Sequence, residues 1–168
     1  MPNTFTLIAS STVGAGGASS IDFTSIPSTY TDLCLKFSTR TNQTQIYSEV
    51  YVKFNTSTAN ISTRLLEGNG SSVASYTSTT TIAVGAGTNA TANTFSNFEM
   101  YIPNYAGSTN KSFSVDSVTE NNGTSSWTDL TAGLWSNTAA ITGVSIYPSA
   151  SWTFSQYSTA YLYGIKNS

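Results

Sequence analysis

The chain contains no histidine and only eight carboxylates, so few of its side chains could do chemistry. Without an imidazole base, neither a Ser-His-Asp nor a Cys-His site can be built, and most zinc sites are excluded as well. A pair of carboxylates could still hydrolyse a glycosidic bond across a cleft. Most of these carboxylates, however, alternate with apolar residues in strand-like runs, which favours positions that face solvent. We therefore predict that the protein is not an enzyme.

The sequence also lacks the spacing of a metal or phosphate site. There is no D-x-D-x-D loop for calcium, and Asp116 and Glu120, near the turn at 121–123, are interpreted as solvated turn residues. The glycine-containing stretches at 14–17 and 68–70 neither open a helix nor precede a Lys-Ser/Thr pair, so they are interpreted as turns. The single cysteine, Cys34, lies in an apolar run and is predicted to be a small core residue. We expect no metal ion and no other cofactor.

The aromatic residues are the feature with most functional promise. Ten Tyr, three Trp and eight Phe exceed what one small core requires. Tyr and Trp combine a large apolar face with a polar tip, which suits subunit interfaces and sugar-stacking surfaces. The candidate residues for contact with a partner or a glycan are Trp127, Trp152, Tyr101 and Tyr105. Trp135 follows Leu134 in an apolar run and is predicted to lie in the core. For the aromatic set as a whole, a core or a subunit interface is the favoured interpretation, and sugar binding is the alternative.

Strands must position these side chains. Short runs rich in Thr, Val, Ile, Tyr and Phe recur along the chain between turns that contain Gly, Asn or Pro, and no apolar pattern of helical spacing lasts three turns. In 111–121, for example, Phe113, Val115 and Val118 are expected to point inward. The pattern predicts one all-β domain over residues 1–168. Its fold would be an antiparallel, jelly-roll-like β-sandwich of about ten short strands, in two sheets of four or five. An immunoglobulin-like sandwich is the second interpretation, weakened by the absence of the Cys…Trp…Cys core.

The charge balance excludes some partners. Only 8% of the residues are charged and the net charge is -2, whereas proteins that bind nucleic acid cluster Lys and Arg against the phosphates. No apolar run reaches the roughly 18 residues that suggest a membrane span, and residues 1–8 lack the basic start and apolar stretch of a signal peptide. We expect no nucleic-acid partner, no membrane insertion and no secretory leader.

Three long segments, at 4–33, 94–122 and 157–168, carry a resemblance. They read TFTLIASSTVGAGGASSIDFTSIPSTYTDL, TFSNFEMYIPNYAGSTNKSFSVDSVTENN and YSTAYLYGIKNS. Through them the chain resembles small virion structural proteins of tailed bacteriophages, especially marine and cyanobacterial phages. The resemblance extends over essentially the whole chain. It implies a structural role on the outer surface of the virion, after assembly in the host cytoplasm, and brings no catalytic motif or binding residues with it.

Two roles on a virion are open. The favoured one is a capsid decoration (cement) protein that binds the major capsid protein, as a homotrimer, because viral jelly rolls commonly form closed trimers. The alternative is the head domain of a tail fibre, attached to tail or fibre proteins, that recognises a host-surface glycan. Fibre proteins usually carry an attachment segment before the head, whereas here the first strand is expected to begin by Thr4 and no heptads occur. A free sugar-binding lectin or a hydrolase is the third class.

Overall fold

Twelve β-strands and no helix are formed by the residues that the computed structural model describes, which are 4–123, 125–149 and 151–166. The strands are β1 (Phe5–Thr12), β2 (Ile21–Phe23), β3 (Asp32–Thr39), β4 (Tyr47–Phe54), β5 (Ile61–Gly68), β6 (Val73–Ser78), β7 (Thr81–Ala86), β8 (Ser96–Ile102), β9 (Lys111–Thr119), β10 (Trp127–Trp135), β11 (Val144–Pro148) and β12 (Thr159–Ile165). The prediction of an all-β chain is confirmed, with two strands more than expected. Within these described ranges there is also no long apolar helix of the kind that crosses a membrane.

The strands form two antiparallel sheets of unequal size. The large sheet has eight strands in the order β1-β12-β3-β8-β9-β10-β5-β6, and the small sheet has four in the order β2-β11-β4-β7. The expectation of two antiparallel sheets is confirmed, and the small sheet has the four strands expected, but the large sheet has eight rather than four or five. Two hairpins, β5–β6 and β9–β10, both extend the large sheet, because each strand in them pairs only with strands of that sheet.

The connectivity supports the finer description as a jelly roll, which stays a prediction. Without the two hairpins, the sheets reduce to β1-β12-β3-β8 and β2-β11-β4-β7. In this reduced set, successive strands lie in opposite sheets, except that β4 and the strand that follows it, β7, both lie in the small sheet. A jelly roll likewise has eight strands in two sheets.

Aromatic side chains fill the space between the sheets. Phe37 and Phe98 stack at 4.4 Å between ring centroids, and Phe54 contacts both Phe113, at 5.4 Å, and Trp135, at 5.5 Å. Pairs of this kind contribute roughly 0.5–1.5 kcal/mol each beyond the area that they bury. Trp135 is 2% exposed, so its predicted place in the core is confirmed.

Strand β9 shows how regular the alternation is. Its buried and exposed residues alternate over all nine positions, which places Phe113 and Val115 inside, as predicted. Val118 has the opposite parity and is exposed, so its prediction as an inward residue is wrong. The inward positions beside it belong instead to Ser117 and Thr119.

The free edge of β7 is closed by side chains rather than by another strand. β7 is the last strand of the small sheet and pairs with β4 on one side only. On its other side, hydroxyls of the large sheet donate to three of its carbonyls, and a carboxylate and a hydroxyl accept from two of its N–H groups. These large-sheet residues are Thr63, Thr119, Thr131, Asp129 and Ser96, at 2.6 to 2.8 Å. This side-chain ladder satisfies backbone groups that an edge strand otherwise leaves open.

The outer face of the large sheet carries exposed apolar side chains near its β6 edge. Leu130 and Leu66 lie directly opposite each other on β10 and β5. On the flanking strands, Val118 of β9 lies opposite Thr128 and Val73 of β6 opposite Gly68, each two residues along from the leucine pair. These four residues, the apolar stripe, are between 47% and 73% exposed. Exposed apolar groups that adjoin one another mark interaction surfaces more often than isolated ones do.

Candidate functional site

A cavity of about 400 Å³ is lined by residues of both sheets and includes residues of the two edge strands β6 and β7. Its walls come from β4 and β7 of the small sheet and from β5, β6 and the first residue of β10. The lining residues are Tyr47, Glu49, Leu65, Glu67, Tyr76, Thr77, Ser78, Thr81, Val84 and Trp127. Its volume is within the range of about 300–1,000 Å³ that is typical of small-molecule sites.

Two aromatic rings form one part of the wall. Tyr47 and Trp127 pack at 5.2 Å between centroids with an angle of 57° between the rings. Each ring packs against the other. Tyr47 is exposed and Trp127 is half-buried, so part of the surface of the pair remains accessible. Tyr76 on β6 adds a third exposed ring to the lining. The cavity therefore offers apolar faces together with phenol hydroxyls.

Glu49, on β4, is held in place by its neighbour on the same face. The Tyr51 hydroxyl donates to Glu49 Oε2 at 2.7 Å. Burial raises the pKa of Tyr51 to about 12, and the hydrogen bond to Glu49 acts in the same direction. Tyr51 thus stays a donor at every physiological pH and orients the Glu49 carboxylate.

Glu67, on β5, is the second carboxylate of the lining. Burial raises the pKa of Glu67, and the negative charge of Asp129 raises it in addition, against the opposing effect of the Tyr76 hydroxyl. Asp129 and Glu67 are register partners on adjacent strands, so their side chains lie on the same inward face. Two neighbouring carboxyl groups therefore lie on the Glu67 side of the cavity.

Asp129 itself is a buried member of the side-chain ladder. Its Oδ2 accepts from the Val84 N–H and from the Ser117 hydroxyl, both at 2.8 Å. Burial nevertheless raises the pKa of Asp129, because these hydrogen bonds only partly replace water. Its Oδ1 is fully buried and has no hydrogen-bond partner within the part of the chain that the structure describes.

The structure does not bring the four predicted contact residues together. Of these, only Trp127 lines the cavity. Trp152 is half-buried in the segment after β11, and Tyr101 lies on the outer face of the large sheet, where its hydroxyl donates to Asp32 Oδ2 at 2.8 Å. Tyr105 is fully buried and its hydroxyl donates to the Pro27 carbonyl, which places it in the core rather than on a contact surface.

Nine of the ten lining residues went unrecognised in the sequence, and the four of these that carry a ring or a carboxylate are Tyr47, Glu49, Glu67 and Tyr76. Parity offers a partial signal, because Tyr47 and Glu49 share one face of β4. Glu67 directly precedes the turn predicted at 68–70, and the β5–β6 pairing shows that this turn closes a hairpin. Nothing local to either segment indicates that β4 and β5 face each other across a cavity.

Cys34 lies where the sequence predicts it, in the interior. Burial raises the pKa of its thiol to about 11, so it is a poor nucleophile at neutral pH. Within the described ranges, no three His, Cys, Asp or Glu side chains come close enough together to hold a metal ion.

Comparison with protein-family models, with curated proteins and with solved structures finds no match to this chain.

Proposed function

We propose that this protein is a structural subunit on the outside of a bacteriophage particle and that its cavity binds a saccharide of the host surface. The observation that carries the saccharide proposal is the cavity itself, in which the Tyr47–Trp127 ring pair adjoins two carboxylates, Glu49 and Glu67. The resemblance of the three segments supports the place on a virion. The proposal is of a binding protein, not of an enzyme.

The chemistry of the lining suits a sugar. A pyranose ring has an apolar face of C–H groups that packs on an aromatic ring, and an edge of hydroxyls that donate hydrogen bonds. Tyr47 and Trp127 supply rings with accessible surface, and the carboxylates supply strong acceptors close by. A purely apolar ligand would displace water from both carboxylates and offer them no further hydrogen bonds, which is costly.

Trp127→Ala tests the proposal. The substitution removes one of the two paired rings, and we expect it to weaken binding of the purified protein to a glycan array and to whole host cells by at least about ten-fold. Trp152→Ala is the matched control, because Trp152 is also half-buried but does not line the cavity. Binding that survives Trp127→Ala unchanged would contradict the proposal, as would failure of the wild type to bind any glycan or host cell.

A second candidate function, capsid decoration, is favoured by a different observation. The apolar stripe on the outer face of the large sheet is suited to burial against other subunits. In this role the protein forms homotrimers that bind the major capsid protein. Decoration requires hundreds of copies per particle, and fewer than a few dozen on a calibrated gel of purified virions would exclude it.

A further inference from the structure

We infer that the saccharide bound in this cavity carries a positive charge, so that the ligand is an amino sugar whose free ammonium group lies against Glu49 and Glu67. The inference rests on the proposed function and names its ligand class. It starts from the charges of the lining, which holds two carboxylates and no Lys or Arg.

Five of the protein's six Lys and Arg side chains have contacts outside the cavity, and the sixth, Lys166, follows β12 and does not line it. The single ion pair in the described part of the chain joins Lys36 to Glu99, away from the cavity. On β4, the Lys53 ammonium lies 5.4 Å from the centre of the Tyr147 ring. On β5, Arg64 donates to the Thr63 carbonyl, and its side chain has the parity of the outer face. Neither Lys53 nor Arg64, although they lie on the same strands as Glu49 and Glu67, therefore neutralises those carboxylates.

Two further cations are held by backbone carbonyls. The Arg40 guanidinium donates to four carbonyls of the loop that follows β7, at 2.9 to 3.0 Å. The Lys111 ammonium is buried and donates to the carbonyls of Gly107 and Ala139, both at 2.6 Å. Their positions are set by these bonds, so they are not free to approach the cavity.

A third carboxylate increases the negative potential. Asp129 is the register partner of Glu67, and its buried Oδ1 has no partner in the described structure. The other titratable groups of the walls are the phenols of Tyr47 and Tyr76, with Tyr51 behind Glu49, and none of them is a cation at any pH. Burial raises the pKa of Glu67, and the negative charge of Asp129 raises it further, so a cation beside Glu67 would offset the second of these effects.

An ammonium group complements the carboxylates and aromatic rings of the cavity better than other sugar substituents do. It donates charge-assisted hydrogen bonds to carboxylates, and it is attracted to the face of a ring such as Trp127. A neutral hydroxyl would leave the partly desolvated carboxylates without a countercharge. A sugar acid would be repelled by both carboxylates and by Asp129.

The test uses two ligands with one skeleton. Chitosan tetramer and chitin tetramer have the same ring and linkage, and differ only in whether the 2-amino group is free or acetylated. We expect the full chain to bind the free amine at least about ten-fold more tightly, measured by calorimetry and by tryptophan fluorescence. Glu67→Gln should remove most of that difference while binding of the acetylated tetramer changes little. Asp116→Asn is the matched control, because it removes an exposed carboxylate of the same sheet outside the cavity.

The outcomes separate this inference from the proposed function. Equal affinity for the two tetramers, or preference for a sialic or uronic acid, would overturn the charged ligand and leave saccharide binding in place. Binding of neither these nor any other glycan would overturn both. Amine binding that persists in the Glu49→Gln, Glu67→Gln double variant would show that the charge is recognised outside the cavity. A lysine tetrapeptide that binds as tightly as chitosan tetramer would show that charge alone is selected, which also contradicts an amino-sugar site.

Discussion

At the residue scale, the hydroxyl and carboxylate side chains inside the sandwich have a definite structural use. Serine and threonine make up about one third of the chain, and an exposed position for them would require no explanation. Several of them instead point inward, where Thr63, Thr119 and Thr131 each donate to a carbonyl of β7. Asp129 takes the opposite role and accepts from a β7 N–H. A polar residue in the core is thus paired with a backbone group that would otherwise be unsatisfied.

Asp129→Asn tests the cost of the buried charge. Burial raises the folded-state pKa of Asp129, so the folded protein binds the proton more readily than the unfolded chain does. The contribution of this group to stability is then complete below the unfolded pKa of about 3.9 and is lost as the pH rises through the folded pKa. Asn stays neutral throughout and fits the same space. We therefore expect the free energy of unfolding of the variant, relative to that of the wild type, to increase as the pH rises from 3 to 7.

Urea denaturation across that pH range measures the effect. Asp116→Asn, at an exposed position of neighbouring strand β9, is the control and should stay within about 0.5 kcal/mol of the wild type. If the free energy of unfolding of Asp129→Asn instead falls relative to the wild type as the pH rises, the burial of this carboxylate does not have the expected cost.

At the element scale, the hydrophobic pattern accounts for the strands but not for their partners. Alternation along β9 correctly places Phe113 and Val115 inside, because period-two spacing is local. It could not show that β9 and β10 join the same sheet as β3 and β8, since parity assigns a face and not a sheet. The cavity depends on that same missing information. Tyr47 and Glu67 line it from different sheets, and only the tertiary structure brings them together.

Thr131→Val tests the side-chain ladder. Valine matches threonine in shape but removes the hydroxyl that donates to the Ile82 carbonyl at 2.7 Å. A buried carbonyl left without a donor costs about 1–3 kcal/mol, so we expect the free energy of unfolding to fall by that amount. Thr128→Val lies on the same strand at an exposed position and should change it by less than about 0.5 kcal/mol. Equal effects of the two substitutions in urea denaturation would mean that the ladder contributes no stability.

At the scale of the whole molecule, the two sheets leave one broad face uncovered. The small sheet covers one side of the large sheet, and the opposite side carries the apolar stripe of Val118, Leu130, Leu66 and Val73. The cavity is lined by different side chains, which come from strands of both sheets. A subunit that assembles through the stripe could therefore keep its cavity accessible, and the two proposed functions are compatible.

The proposed trimer gives the prediction at this scale. Leu66→Lys combined with Leu130→Lys places two like charges opposite each other within the stripe, and we expect trimers to dissociate into folded monomers. Light scattering after size exclusion measures the mass, and circular dichroism confirms the fold. Leu7→Lys is the control, because Leu7 is an equally exposed leucine on β1 at the far end of the same sheet. A wild type that is already monomeric at high concentration would contradict the trimer.

The ladder along β7 also has a kinetic consequence. Its five large-sheet partners lie 10 to 49 residues away from β7 in sequence, so the bonds form only after long loops have closed. Contacts of such long range slow folding, because the entropy of loop closure is lost before the contacts are gained. The edge of the small sheet thus becomes protected late, when β5, β8, β9 and β10 already stand side by side. Until then β7 exposes an unpaired edge, and during that interval the chain is most open to pairing with another copy of itself.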